Sequence, residues 1–215
     1  MPAVQGQITR EMHEWNFQAA GEILATAGRM EVVLRNAACR HLTRLSEIHG
    51  SRYWPLNLEF DEHEARVIRR ALKQRSAVDG LTHDSYLVAE YVPLGFWLQL
   101  LSNRYHTRLW VPGLNRGFPN LAGSASLRRE ALHASLERAV SLRNLAAHLH
   151  PLHVLQSEEA LEPFRAVADA IDPAAVRWVA QGSRIPEVWD ARPNSCSLLA
   201  PTQNRPSEPD ASRDE

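Results

Sequence analysis

EWNFQAAGEILATAGRMEVVLRNAACRHL, residues 14–42, carries the reading on which the fold class rests. Its apolar residues recur at three- and four-residue intervals without sustained strand-like alternation, the pattern of helices with one buried side. The spacing predicts a first helix over Ile8 to Ala27, a break at Gly28 and a second helix over Met30 to His49, stopped by Gly50. The second helix places Val32 or Val33, Leu34, Ala37, Ala38, Leu42 and Leu45 on its apolar side. Joined by a break, the two would form an antiparallel hairpin.

The same periodicity continues along the chain and predicts an all-α antiparallel helical bundle. Asp61 caps a third helix, with Glu64 three residues later in the manner of a capping box, and Gly80 ends it. DSYLVAEYVPLGFWLQLLSNRYHTRLW (84–110) reads as a helix to Val92, a break at residues 93–95 and a second helix through Phe96, Trp97, Leu100 and Leu101. VPGLNRGFPNLAGSAS (111–126) has the composition of a long surface loop. The longest helix spans Ser126 to Leu149, with Leu132, Leu136, Val140 and Leu145 toward the core, and Pro151 stops it. Helices over Ser157 to Ala170 and Pro173 to Gln181 follow, the latter capped by Asp172. Trp15, Trp54, Trp97, Trp110 and Phe96 are expected as core or interface aromatics. These helices make one domain, residues 1–182. The polar, proline-rich stretch 183–215 is expected to be a disordered tail, because it buries too little apolar area to offset its ordering entropy.

Composition narrows the function classes. At 215 residues and 44% hydrophobic content the chain needs neither metal nor disulfide to build a core. Cys39 and Cys196 are too far apart in sequence, and too differently placed, to suggest a framework or paired zinc ligands, which favours a reducing cytosol. The N-terminus lacks a secretory pattern, and no window approaches the roughly 20 apolar residues of a membrane span. A soluble, cytoplasmic protein without membrane contact is the expectation. A net charge of −1 argues against coating nucleic acid by bulk electrostatics, though not against a local basic face.

SLRNLAAHLHPLH (141–153) carries the chemistry. Asn144 and His148 share a helix face at i, i+4, and Arg143 lies about 140° around the helix from His148. Histidine moves protons near neutral pH, and arginine holds a pentacoordinate phosphorane with two parallel hydrogen bonds. Asparagine beside them fixes a ring or holds a ribose hydroxyl. A plain structural role competes: Arg143 and His148 are also favourable cations at a helix C-terminus.

RNLAAH (143–148) fits the Arg-x4-6-His signature of the HEPN superfamily, with Asn144 in the polar position after the arginine. The wider chain resembles the Abi-like (abortive infection) HEPN family. Residues 14–42 are similar to its opening hairpin, LGFWLQLL…RLW to its central segment and FPNL to the lead into the motif helix, so the resemblance runs from Glu14 to Leu152. It implies a helical homodimer in which two motifs face each other, and a metal-independent endoribonuclease acting in phage defence or as a toxin-like effector. On that resemblance His148 serves in acid–base roles, Arg143 stabilises the phosphorane and Asn144 positions ribose or imidazole. RNA would be the substrate, no cofactor would be needed, and a protein could act as inhibitor or trigger. The family pattern continues with a second histidine and a glutamate before proline, where this chain has Leu149 and His150.

Several further residues are candidates for support or RNA binding. Arg35 and His41 make a second Arg-x5-His pattern, with Glu31 one turn before Arg35, and Glu31, Arg35 and Asn36 read best as a polar network orienting the motif helix. His150 reads as a secondary RNA contact. Arg66, Arg69, Arg70 and Lys73 form a basic stripe on the third helix that either tracks a phosphate backbone or is a solvated face. No metal site is expected, since H-x-H over 148–150 suits a strand or loop better than a helix and no Cys or carboxylate stands nearby in sequence until Glu158. A non-catalytic helical dimer that binds RNA or protein as a regulator is the alternative function.

Overall fold

Gly28 does not break the chain. In the computed structural model, which describes residues 2–79 and 84–193, one helix, α1, runs unbroken over Pro2–Ile48, a rod of about 70 Å. The expected hairpin of two helices is therefore corrected to a single spine. Its buried side stays in register across the glycine: Ile23, Ala27, Met30, Leu34 and Leu42 are all almost fully enclosed. Enclosing residues the size of Met30 and Leu34 contributes about 1.5–3 kcal/mol each, more than the roughly 1 kcal/mol that an interior glycine costs a helix. Gly28 lies on the exposed side, where a Cβ would meet no atom within 4 Å. Gly28→Ala is accordingly expected to stabilise the fold by about 0.5–1 kcal/mol, measured by urea unfolding; a loss of stability would contradict an open, helical Gly28.

Every regular element among the described residues is helical. After α1 come the short α2 (Trp54–Asn57), α3 (Glu62–Asp79), α4 (Ser85–Ala89) and α5 (Leu94–Leu100). A 3-10 turn at Asn103–Tyr105 runs into one turn of π-helix at His106–Trp110, and a further 3-10 turn covers Leu114–Gly117. Then follow α6 (Ala125–Ala147), α7 (Ser157–Asp169), α8 (Pro173–Gln181) and α9 (Ile185–Asp190). Gly80 and Cys196 lie outside the described residues. Among the described residues, no helix is long and apolar enough to cross a membrane.

Most of these elements pack on α1. One end of the spine is held by α9, where the Trp15 indole donates to the Val188 carbonyl at 2.7 Å and meets Trp189 edge-on with centroids 5.3 Å apart. Residues 185–190, expected in the tail, thus belong to the domain: Ile185, Val188 and Trp189 give this short segment a buried side that the polar sequence after it obscures. Residues 194–215 lie outside the described residues. A second cluster joins Trp54, Phe60, Phe96, Trp97 and Tyr105, with ring centroids 5.2–6.3 Å apart among them.

Three local expectations change. The supposed surface loop 111–126 delivers Leu114 and Phe118 into the core, Phe118 stacking on Trp110, because Gly113 and Gly117 let it lie directly on α1. Glu64 does not close a capping box. Completely enclosed, it accepts from the Tyr105 hydroxyl at 2.8 Å and from Arg104 at 2.7 Å. Finally, Leu145 is 40% exposed, and α6 buries Leu132, Leu136, Ala139, Leu142 and Ala146 instead, so small alanines mark the stripe that larger side chains seemed to claim.

Candidate functional site

The 143–150 stretch occupies the C-terminal end of α6, and its geometry follows from how that helix stops. Ser124 caps the start, accepting from the Leu127 N–H, and the last helical residue is Ala147. His148 is the C-cap. The next two amides fold back, Leu149 N–H to the Ala146 carbonyl at 3.0 Å and His150 N–H to the Leu145 carbonyl at 2.9 Å, which is a Schellman closure. Such a closure needs a left-handed residue after the cap, usually glycine. Here it is Leu149 at φ 54°, a conformation that costs an L-residue with a Cβ about 1–2 kcal/mol.

Arg143, Asn144, His148 and His150 are all exposed on this turn. Asn144 joins the first and third: its side-chain oxygen accepts from Arg143 Nη1 at 3.1 Å, and its backbone carbonyl accepts from the His148 N–H at 3.1 Å. The second of these is the ordinary backbone bond of the helix, so Asn144 holds the Arg143 guanidinium while the His148 ring sits on the same exposed turn. The His148 and His150 rings meet edge-on with centroids 6.4 Å apart. Neither Arg143 nor His148 makes an ion pair with a carboxylate within 4 Å among the described residues, so both present free hydrogen-bonding edges to solvent.

The turn is pinned from a distance by Asn16 on α1, a residue the sequence did not single out. Its amide donates to the Leu149 and His150 carbonyls at 3.4 and 3.3 Å, and its oxygen accepts the Leu152 N–H at 2.9 Å. Three contacts from one side chain hold the strained Leu149 in place. Asn16→Ala is expected to cost about 1–3 kcal/mol and to abolish hydrogen-exchange protection at Leu152, while Asn16→Asp, which keeps the acceptor, retains it; unchanged protection in the alanine variant would overturn this role.

The supporting residues divide between places. Glu31 and Arg35 are half-buried on the side of α1 that Arg143 approaches. Burial pushes the Glu31 carboxyl above its ordinary value, against the opposing pull of Arg35 and Arg143. Asn36, in contrast, is exposed on another side of α1 and lines a cleft with His41. Arg66, Arg70 and Lys73 are exposed on α3, which packs against α4 and α5. Glu62 draws on the same stripe, taking Arg69 at 2.7 Å and Arg66 at 3.8 Å. No described contact brings that stripe to the end of α6. No cluster of three or more His, Cys, Asp or Glu side chains that could hold a metal ion occurs among the described residues.

Phe17 and Leu24, seven residues apart and so on one side of α1, are 50% and 38% exposed, and Leu145 and Leu149 beside the motif are 40% and 50% exposed. Both helices that hold the motif turn therefore keep apolar surface in solvent. No protein-family model matches this chain, and neither a curated protein nor a solved structure does.

Proposed function

We propose that the protein is a metal-independent endoribonuclease of HEPN type, working as a homodimer in abortive-infection defence or as a toxin-like effector. One observation carries this reading: a guanidinium bonded to an amide, and an imidazole, all solvent-facing and making no ion pair with a carboxylate within 4 Å among the described residues, share one turn that a distant side chain holds in a strained shape. Strain of this kind clusters at functional sites.

The chemistry needs a base and an acid. The base takes the proton of a ribose 2′-hydroxyl, whose oxygen attacks the adjacent phosphorus. The acid gives a proton to the departing 5′-oxygen, leaving a 2′,3′-cyclic phosphate and a 5′-hydroxyl. One His148 does not serve both faces of the phosphorus at once, whereas His148 from each of two protomers does. Arg143 neutralises the charge of the phosphorane, and Asn144 keeps the guanidinium directed at it. The exposed Phe17, Leu24, Leu145 and Leu149 supply apolar surface for the pairing of two copies.

The test compares an RNA with the DNA of the same sequence in excess chelator. Cleavage confined to RNA, ending in cyclic phosphate, supports the reading. Cleavage that stops with chelator, or that spares neither polymer, rejects it.

A further inference from the structure

A cleft of about 390 Å³ lies where α1 meets the Leu114–Gly117 turn and the start of α8. Arg40, His41 and Asn36 line it from α1, Arg116 from the turn and Asp172 from the cap of α8. It is separate from the end of α6. Glu31 and Arg40 are nine residues apart, which at about 100° per residue puts them on opposite sides of α1.

The cleft has charge without a partner. Arg29, Arg52, Arg66, Arg69, Arg104, Arg108, Arg129 and Arg165 each meet a carboxylate within 4 Å. Arg40 and Arg116, exposed at the cleft, make no ion pair or hydrogen bond among the described residues, and together with Arg44, which lies outside the lining, they act on the charge of His41. Asp172, the carboxylate on the lining, caps α8 by accepting the Ala174 N–H at 2.6 Å and offsets one of the two cleft arginines, leaving the other charge uncompensated. Like charges held together in a concave site repel one another, and a bound anion removes that cost.

His41 points the same way. It is 9% exposed, lines the cleft and makes no hydrogen bond among the described residues, so its ring nitrogens are open to whatever fills the cleft. Burial, then Arg44, Arg40 and Arg116, hold it below its ordinary value, so at neutral pH it is an uncharged ring with a free donor. Gly117 makes its position possible, since a Cβ there would lie 3.1 Å from the ring. The cleft takes apolar lining from Val33 and Ala37 on the same face of α1 and from Ile171 and Ala175 around the start of α8. Its size falls within the roughly 300–1,000 Å³ of small-molecule sites.

We infer that this cleft binds a small organic phosphate, with the phosphate held by Arg40 and Arg116 against His41 and the organic portion resting on the apolar lining from Val33, Ala37, Ile171 and Ala175. The site stands independently of the ribonuclease reading. Calorimetry with ADP, AMP and inorganic pyrophosphate as probes, at physiological salt, tests it on the full chain. Saturable binding of at least one probe is expected, weakened by about tenfold or more in Arg40→Gln/Arg116→Gln. It should be unchanged in Arg138→Gln/Arg184→Gln, which removes equal charge from exposed positions elsewhere, and in Arg143→Ala/His148→Ala. Circular dichroism confirms that each variant is folded. No saturable binding by any probe, equal weakening in both arginine pairs, or weakening only when Arg143 and His148 are replaced would each overturn the site. Binding of an RNA oligonucleotide at Arg40 and Arg116 without binding of the small probes would overturn it too, by making the occupant a polymer.

Discussion

His148→Ala is expected to lower RNA cleavage by about 10⁴-fold while leaving the fold intact. In the proposed homodimer both copies carry the substitution, so the proposed base and acid disappear together. His148 is exposed, its ring meeting only the likewise exposed His150 edge-on, and its structural part is the backbone hydrogen bond to Asn144 that alanine also makes. Arg143→Ala removes a donor that matters only once charge develops on the phosphorane, and about a 10²–10³-fold loss is expected, mainly in kcat. Asn144→Ala should fall short of both, since it leaves the reacting groups present and frees the guanidinium it restrains. Initial rates on a single-site RNA, with urea midpoints alongside, decide the matter. Cleavage within tenfold of the parent in folded His148→Ala would move the chemistry elsewhere and favour a binding-only role for the motif.

Glu64→Ala is expected to bring the largest loss of stability, about 3 kcal/mol. The carboxylate is fully enclosed and bonded to the Tyr105 hydroxyl and the Arg104 guanidinium. Truncation leaves a buried hydroxyl without its acceptor and takes from Arg104 its closest carboxylate, leaving it Asp61 at 3.6 Å and the Gln99 oxygen at 3.1 Å. Arg104 is 39% exposed and can turn to water, which keeps the cost near the lower end of the range for breaking such pairs. Around them Arg104 and Arg108 flank the Tyr105 ring at 5.2 and 4.9 Å, with Arg108 reaching Asp61 at 2.8 Å. Burial foremost pushes the Tyr105 phenol up to about 12, so it stays a donor throughout the neutral range. Glu64→Gln keeps a single acceptor oxygen, enough for the Tyr105 hydroxyl or the Arg104 guanidinium but not both, and should cost less than alanine. Urea unfolding at pH 7 measures both; a cost below about 1 kcal/mol for alanine would contradict a structural role for the pair.

The helical class was legible because long amphipathic runs repeat at 3.6 residues, and the Asp172–Pro173 start of α8 because capping chemistry is local. Gly28 misled because propensity is a small term beside burial along α1, and the partners that line up on α1 come from the far end of the chain. Glu64 sat three residues after an aspartate, which is what a capping box looks like, and only Tyr105 and Arg104 reveal its other use. At the candidate site Arg143, Asn144 and His148 were visible as a spacing. Asn16 was not, since its partners lie more than 130 positions away. The cleft residue His41 was visible only as half of an Arg-x5-His pattern. Its actual neighbours, Arg116 and Asp172, are supplied by two other segments.

Shared use of two His148 rings is open to direct measurement by co-refolding parental chains with an equal amount of His148→Ala chains. If a dimer needs both imidazoles, random pairing leaves about one quarter of dimers active, and cleavage should fall to about a quarter of the parental rate at equal total chain. A fall to only about one half, the value for chains that each work alone, would contradict a composite site.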